Sequence, residues 1–157
     1  MSASTGRAPG EVYQQAIAAL NLGQWQQAQS LAAEVGRAVP GHAGVHFVAG
    51  VAALELQQME RAIGHLRRAC ELNDGRADYQ AQLARALVAS RHFPEAHAAA
   101  DRAMQLMPTD AMTLDTLGVV YSQLNVYESA TTMFRQAATL LPNHAGYRFN
   151  LATGLMF

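Results

Sequence analysis

Residues 111–144 read AMTLDTLGVVYSQLNVYESATTMFRQAATLLPNH. Two helical patterns of about thirteen residues lie in it back to back. They join at Leu124-Asn125-Val126 and close at Leu141-Pro142-Asn143. Apolar or small residues recur at three- and four-residue steps: Leu114, Leu117, Gly118 and Tyr121 in the first half, Ala130, Met133, Phe134 and Ala137 in the second. This spacing predicts a helical hairpin with one buried seam. A lone hairpin cannot bury both of its apolar faces, so the question is whether the rest of the chain repeats it.

Shifting the stretch along the chain finds the repeat, with a period of 34 residues. Ala130 maps back onto Ala96, Ala62 and Ala28, and Gly118 onto Ala84 and Gly50 and forward onto Ala152. Ala137 maps onto Ala103, Ala69 and Val35. Tyr127 maps onto Phe93, Met59 and Trp25, all large and apolar, and Pro142 onto Pro108, Asp74 and Pro40, all turn formers or helix terminators. Small residues at the Gly118 and Ala130 positions let the two helices approach, and a large residue near the turn fills the gap. Each hairpin then buries its remaining apolar face on its neighbour.

Composition agrees with an all-α chain. Half of the 157 residues are hydrophobic, many of them alanine, and no stretch alternates apolar and polar residues over a strand's length. The formal net charge is -1, and the eleven cationic side chains, all Arg, are scattered. Without a basic stripe, capture of nucleic acid or of an anionic membrane is not expected. The single cysteine, Cys70, leaves no intramolecular disulfide and points to a reducing, cytoplasmic setting. No signal-peptide core and no run of eighteen apolar residues occurs, so no membrane span is expected.

Hairpins of 34 residues carrying Gly or Ala, Tyr, Ala, Phe, Ala and Pro in that order resemble the tetratricopeptide repeat family. The resemblance covers residues 9–157 and implies a right-handed solenoid of antiparallel helical hairpins. The units are 9–42, 43–76, 77–110 and 111–144, followed by an unpaired or capping helix 145–157, with residues 1–8 a mobile leader. The first unit is degenerate, with Gln15 and Ala19 where the family prefers Leu and Tyr. The second closes on Asn73-Asp74-Gly75 instead of proline.

The resemblance further implies that the first helix of each hairpin lines a concave groove that binds peptides. In that register the groove holds Tyr13, Ile17 and Leu20, then Phe47, Val51 and Leu54, with Arg85 and Asp115 contributed further along. The expected activity is therefore a non-catalytic protein-interaction module that takes a peptide or helix with apolar anchors. Packing of these side chains against one another is the competing account. One class of relatives clamps a C-terminal carboxylate with Lys and Asn. Here the matching places are held by Tyr13 and Ile17, Phe47 and Val51, Ala81 and Arg85, and Asp115 and Val119, so that clamp is absent.

No catalytic or cofactor motif is found. There is no Gly-rich phosphate loop, and Cys70 reads as a core thiol. The six histidines show no helical metal-site spacing with a carboxylate between its members. The chain stops within an apolar helical pattern, which suggests continuation into a longer protein. Leu151, Leu155, Met156 and Phe157 would then expose apolar area, and self-association through this end is expected. The run Phe149 to Leu155 also resembles the repeats that precede a sulfotransferase domain in some bacterial proteins. On that alternative the chain is the recognition or positioning arm of a larger enzyme, with catalysis outside it.

Overall fold

The computed structural model describes residues 7–154. Residues 1–6 of the expected leader, and Leu155, Met156 and Phe157, lie outside the described residues. Among the described residues there are nine helices and no strand. They fall into two compact units, one within Met1–Asp74 and the other within Gly75–Phe157. The division comes at Asn73-Asp74-Gly75, the one closing turn without a proline.

The first unit contains α1 (Pro9–Asn21), α2 (Trp25–Ala38), α3 (Ala43–Glu55) and α4 (Met59–Leu72). Helix α1 packs on α2, α2 on α3 and α3 on α4, and α1 also touches α3. Its core joins Val12, Ala16 and Ala19 of α1, Ala28, Leu31, Ala32 and Val35 of α2, and Val45, Val48, Ala49 and Ala52 of α3. The second unit contains α5 (Ala77–Ala89), α6 (Phe93–Gln105), α7 (Ala111–Gln123), α8 (Tyr127–Leu140) and α9 (Ala145–Gly154). There α5 packs on α6 and α7, α7 on α8, and α8 on α9.

Every hairpin turns by the same device. Gly23, Gln57, Arg91 and Asn125 have φ of 74°, 63°, 63° and 63°, at one register of the repeat. At each, the next residue's N–H reaches back to a carbonyl of the first helix: Gln24 to Ala19, Gln58 to Ala53, His92 to Leu87 and Val126 to Tyr121, at 2.8–2.9 Å. This is a left-handed C-terminal cap that satisfies carbonyls the helix cannot. Only the first turn supplies the glycine that makes this conformation inexpensive.

The seams are matched by size. A Cβ on Gly50 would stand 2.6 Å from Leu66 Cγ, and one on Gly118 would stand 2.5 Å from the Phe134 ring. The same two positions in the other hairpins hold Ala16 with Ala32 and Ala84 with Ala100, all buried. A glycine is therefore found where the facing residue is large, and an alanine where it is small. Phe134 is covered from the other side by α9, where a Cβ on Gly154 would stand 3.0 Å from its ring. There Thr131 donates a hydrogen bond to the Gly154 carbonyl at 3.2 Å.

Candidate functional site

The first helices of the N-terminal unit present a partly apolar face. Tyr13, Ile17 and Leu20, about one helical turn apart on α1, are half-buried and rest on the core. Phe47 of α3 is also half-buried. Tyr13 is held firmly: its ring lies 4.5 Å from the His42 ring, and its hydroxyl occupies the space a Cβ on Gly44 would need. Gly44 thus makes room for Tyr13 at the start of α3.

Two of the expected groove residues are not presented to a partner. Val51 is 9% exposed and Leu54 3%, so both act as core. Apolar side chains on a helix with neighbours on several sides have little accessible surface left. The period alone does not separate an inward from an outward position when nearly all of α3 is apolar.

In the second unit, the expected site residues are polar and tied down. Arg85 of α5 donates to Gln82 at 3.1 Å. Asp115 of α7 accepts from the Asn150 amide of α9 at 2.8 Å. Burial raises the Asp115 pKa, opposed by that hydrogen bond and by the positive field of His144. Met112, one turn before Asp115, is 65% exposed, and Phe149 on α9 is 70% exposed. Asp78, at the start of α5, is paired with Arg76 at 2.7 Å.

Three polar arrangements escaped the sequence reading. His42 caps α3, its Nδ1 accepting from the Val45 N–H at 3.1 Å. Asp110 caps α7 by accepting from the Thr113 N–H at 2.9 Å. His144 accepts from the Tyr147 N–H at 3.3 Å and stacks on the Tyr147 ring. All three occupy one register of the repeat, and these caps satisfy first-turn N–H groups. Second, Asp101 of α6 accepts from the buried Tyr121 hydroxyl at 2.8 Å and lies 3.1 Å from His97 Nδ1. Burial, helped by that hydrogen bond and by the carboxylate's charge, pushes the Tyr121 pKa well up, so the phenol stays protonated. This trio ties α6 to α7.

The third arrangement joins α3 to α4. His46 Nδ1 and His65 Nδ1 are 3.1 Å apart, and His46 Nε2 is 3.2 Å from the Pro40 carbonyl. The two rings sit on different helices, so no single-helix spacing reveals them. A third metal-ligating partner is lacking among the described residues, where no group of three or more His, Cys, Asp or Glu is found. Cys70 is buried on α4. No described helix is long and apolar enough to cross a membrane.

Residues 13–77 match the family model described as tetratricopeptide repeat. The match spans most of the two hairpins of the first unit, which hold Tyr13, Ile17, Leu20 and Phe47. Solved structures with this repeat share the fold along nearly the whole chain. TTC0263, a thermophilic TPR protein in Thermus thermophilus, superposes with a TM-score of 0.81 at 19% identity, covering 98% of this chain and 84% of that one. YrrB, described as a TPR protein with an unusual peptide-binding site, gives 0.68 at 20% identity over 96% of this chain and 75% of that one. A chain of the APC/C hetero-tetramer Cut9–Hcn1 gives 0.77 at 19% identity, over 94% of this chain but 30% of that one. Comparison with curated proteins gives no match. At these identities the likeness concerns the tetratricopeptide-type helical fold. The sulfotransferase resemblance of the Phe149 run is not touched by these comparisons.

Proposed function

We propose that this protein is a non-catalytic protein-interaction module that holds a peptide or helix on the face formed by α1 and α3. The observation that carries the reading is the row of Tyr13, Ile17 and Leu20, half-buried and backed by a packed core, with Phe47 of α3 half-buried as well. Such a face offers apolar anchoring at little cost in side-chain ordering, because its residues are already held in place. Residues 9–157 act in this reading as one repeat domain of four hairpins and a final helix. Arg85 and Asp115 add polar contacts on the first helices of the second unit, and the exposed Phe149 of α9 is the contact for self-association.

The fold of peptide-binding and complex-forming proteins such as YrrB and Cut9–Hcn1 supports this class of function. The setting we propose is cytoplasmic, with neither nucleic acid nor membrane as partner. Selection from a displayed random-peptide library tests the face. A motif with spaced apolar residues should enrich on the wild type and be lost on a folded Ile17→Glu/Phe47→Ala variant. Enrichment of the same motif on both proteins would refute the assignment.

A further inference from the structure

A cavity of about 350 Å³ opens among α2, α3 and α4, and shares no lining residue with the α1–α3 face. Its floor is apolar, with Ala32 and Ala49, and its polar lining includes Arg37, Arg61, His46 and His65. None of its described lining residues is acidic. Four nitrogen bases and cations thus converge in a chain whose formal net charge is -1. The repeat does not require them. One period on, Arg37, His46, Arg61 and His65 are replaced by Glu71, Gln80, Glu95 and Ala99, and two periods on by Gln105, Leu114, Ser129 and Met133.

The hydrogen bonds fix the tautomers. The Pro40 carbonyl can only accept, so His46 Nε2 carries the hydrogen and donates it. His46 Nδ1 is then an acceptor, and His65 Nδ1–H donates to it. That leaves His65 Nε2 with its lone pair, able to take a proton without breaking either hydrogen bond. The proton is opposed by burial, by His46 and by Arg61, all of which lower the His65 pKa. An anion in the cavity would offset the two electrostatic effects. Arg61 already donates to Gln58 at 3.2 Å, and that amide oxygen also accepts from Gln29 at 2.7 Å, which steadies the guanidinium at the rim.

We infer that this cavity is a second binding site, which takes the carboxylate of an acidic peptide segment between Arg37 and Arg61, with His65 as a proton-linked partner. Charge complementarity selects the carboxylate, and the alanine floor suits the short apolar stem of a glutamate or aspartate. The choice of a peptide as carrier rests on the interaction-module reading. The cavity's residues are separate from Ile17 and Phe47, so either site can fail while the other holds. Because the bound anion favours protonated His65, affinity rises as pH falls through the His65 pKa.

The test uses the full chain and a fluorescein-labelled peptide of alternating Glu and Leu, with the Gln–Leu peptide as control. Arg37→Ala and Arg61→Ala should each weaken binding by about tenfold, the size of a lost charge-assisted hydrogen bond. Both residues are exposed, so melting should not change. Binding should be tighter at about pH 6 than near neutrality in the wild type, and His65→Gln should remove that dependence. The His65 ring signals should titrate at higher pH when the peptide is bound. Equal affinity for the Gln–Leu peptide, unchanged affinity in both Arg variants, or displacement of the peptide by a tighter-binding RNA oligonucleotide would each overturn the proposal.

Discussion

The hairpins α3–α4 and α7–α8 stand two periods apart and are built to the same plan, yet they differ where the plan leaves a choice. Gly50 faces Leu66 in one, and Gly118 faces Phe134 in the other. The turn residue has positive φ in both, Gln57 and Asn125. Where the first has His46 and His65 in hydrogen-bonding contact, the second has Leu114 and Met133, both buried. Positions that set how closely two helices approach recur, and positions between them are free to become polar or apolar. Chemistry specific to this protein is therefore to be sought at the second kind.

The size match can be broken most severely at Phe134. Phe134→Ala should cost about 3–5 kcal/mol in chemical unfolding, from lost burial and the cavity left behind. The informative result is a change of sign. In the wild type, Gly118→Ala forces a methyl into the ring and should cost about 1–3 kcal/mol. In the Phe134→Ala background the methyl has room, and the better helix propensity of alanine should make the same change stabilising by up to about 1 kcal/mol. That double variant recreates the Ala84 and Ala100 arrangement.

Gly50→Ala should behave like Gly118→Ala but more mildly, costing about 1–2 kcal/mol, because the leucine side chain can yield more than a ring. Leu66 also presents its backbone nitrogen 3.2 Å from the added Cβ, so the effect should not vanish. Thermal unfolding of the two glycine variants side by side checks the order.

Replacing His46 and His65 by the Leu and Met found two periods on would erase the polar difference. The His65 pKa is lowered in the folded protein, by burial first. As pH falls below the unfolded value of about 6.5, the unfolded chain takes its proton first and the wild type loses stability. The loss levels off below the folded pKa. The His46→Leu/His65→Met variant should lack this component, so the stability difference between the two proteins should be constant above neutrality and shift in the variant's favour on acidification.

Much of this fold could be read from the chain before any coordinates. Ala28, Ala62, Ala96 and Ala130 at one register of the 34-residue period, with Pro40, Pro108 and Pro142 at another, are enough for the hairpins, because close helix packing and the closing turns tolerate few residue types there. The turn conformation was hidden by chemistry: Gly23, Gln57, Arg91 and Asn125 share a backbone shape but no side-chain character. The capping positions were hidden in the same way, since His42, Asp110 and His144 act only through one acceptor atom. Of the expected groove, Tyr13, Ile17, Leu20 and Phe47 are at the surface in part, whereas Val51 and Leu54 are core. In α3, where Val45 through Leu54 contains one charged or titratable side chain, His46, no polar face marks the side that meets solvent. The His46–His65 pair depends on how two helices are stacked, which lies beyond any spacing within one of them.

The smallest effect concerns the turns themselves. Arg91→Gly and Gln57→Gly should each stabilise by about 0.5–1 kcal/mol by removing the left-handed strain of a residue with a Cβ. Asn125→Gly should gain less, since asparagine tolerates this conformation better. Melting temperatures would rank the three.

On the proposed reading, binding belongs to the first-helix positions of α1 and α3 whose residue type varies from unit to unit, while the positions that keep their residue type build the hairpins. The direct measurement is a chemical-shift map of the isotope-labelled protein titrated with the peptide enriched on the wild type. The account predicts the largest shifts at Ile17, Leu20 and Phe47, with little change at Gly118, Phe134 and the turn residues. Shifts centred on α8 and α9, with the α1–α3 face unmoved, would contradict it.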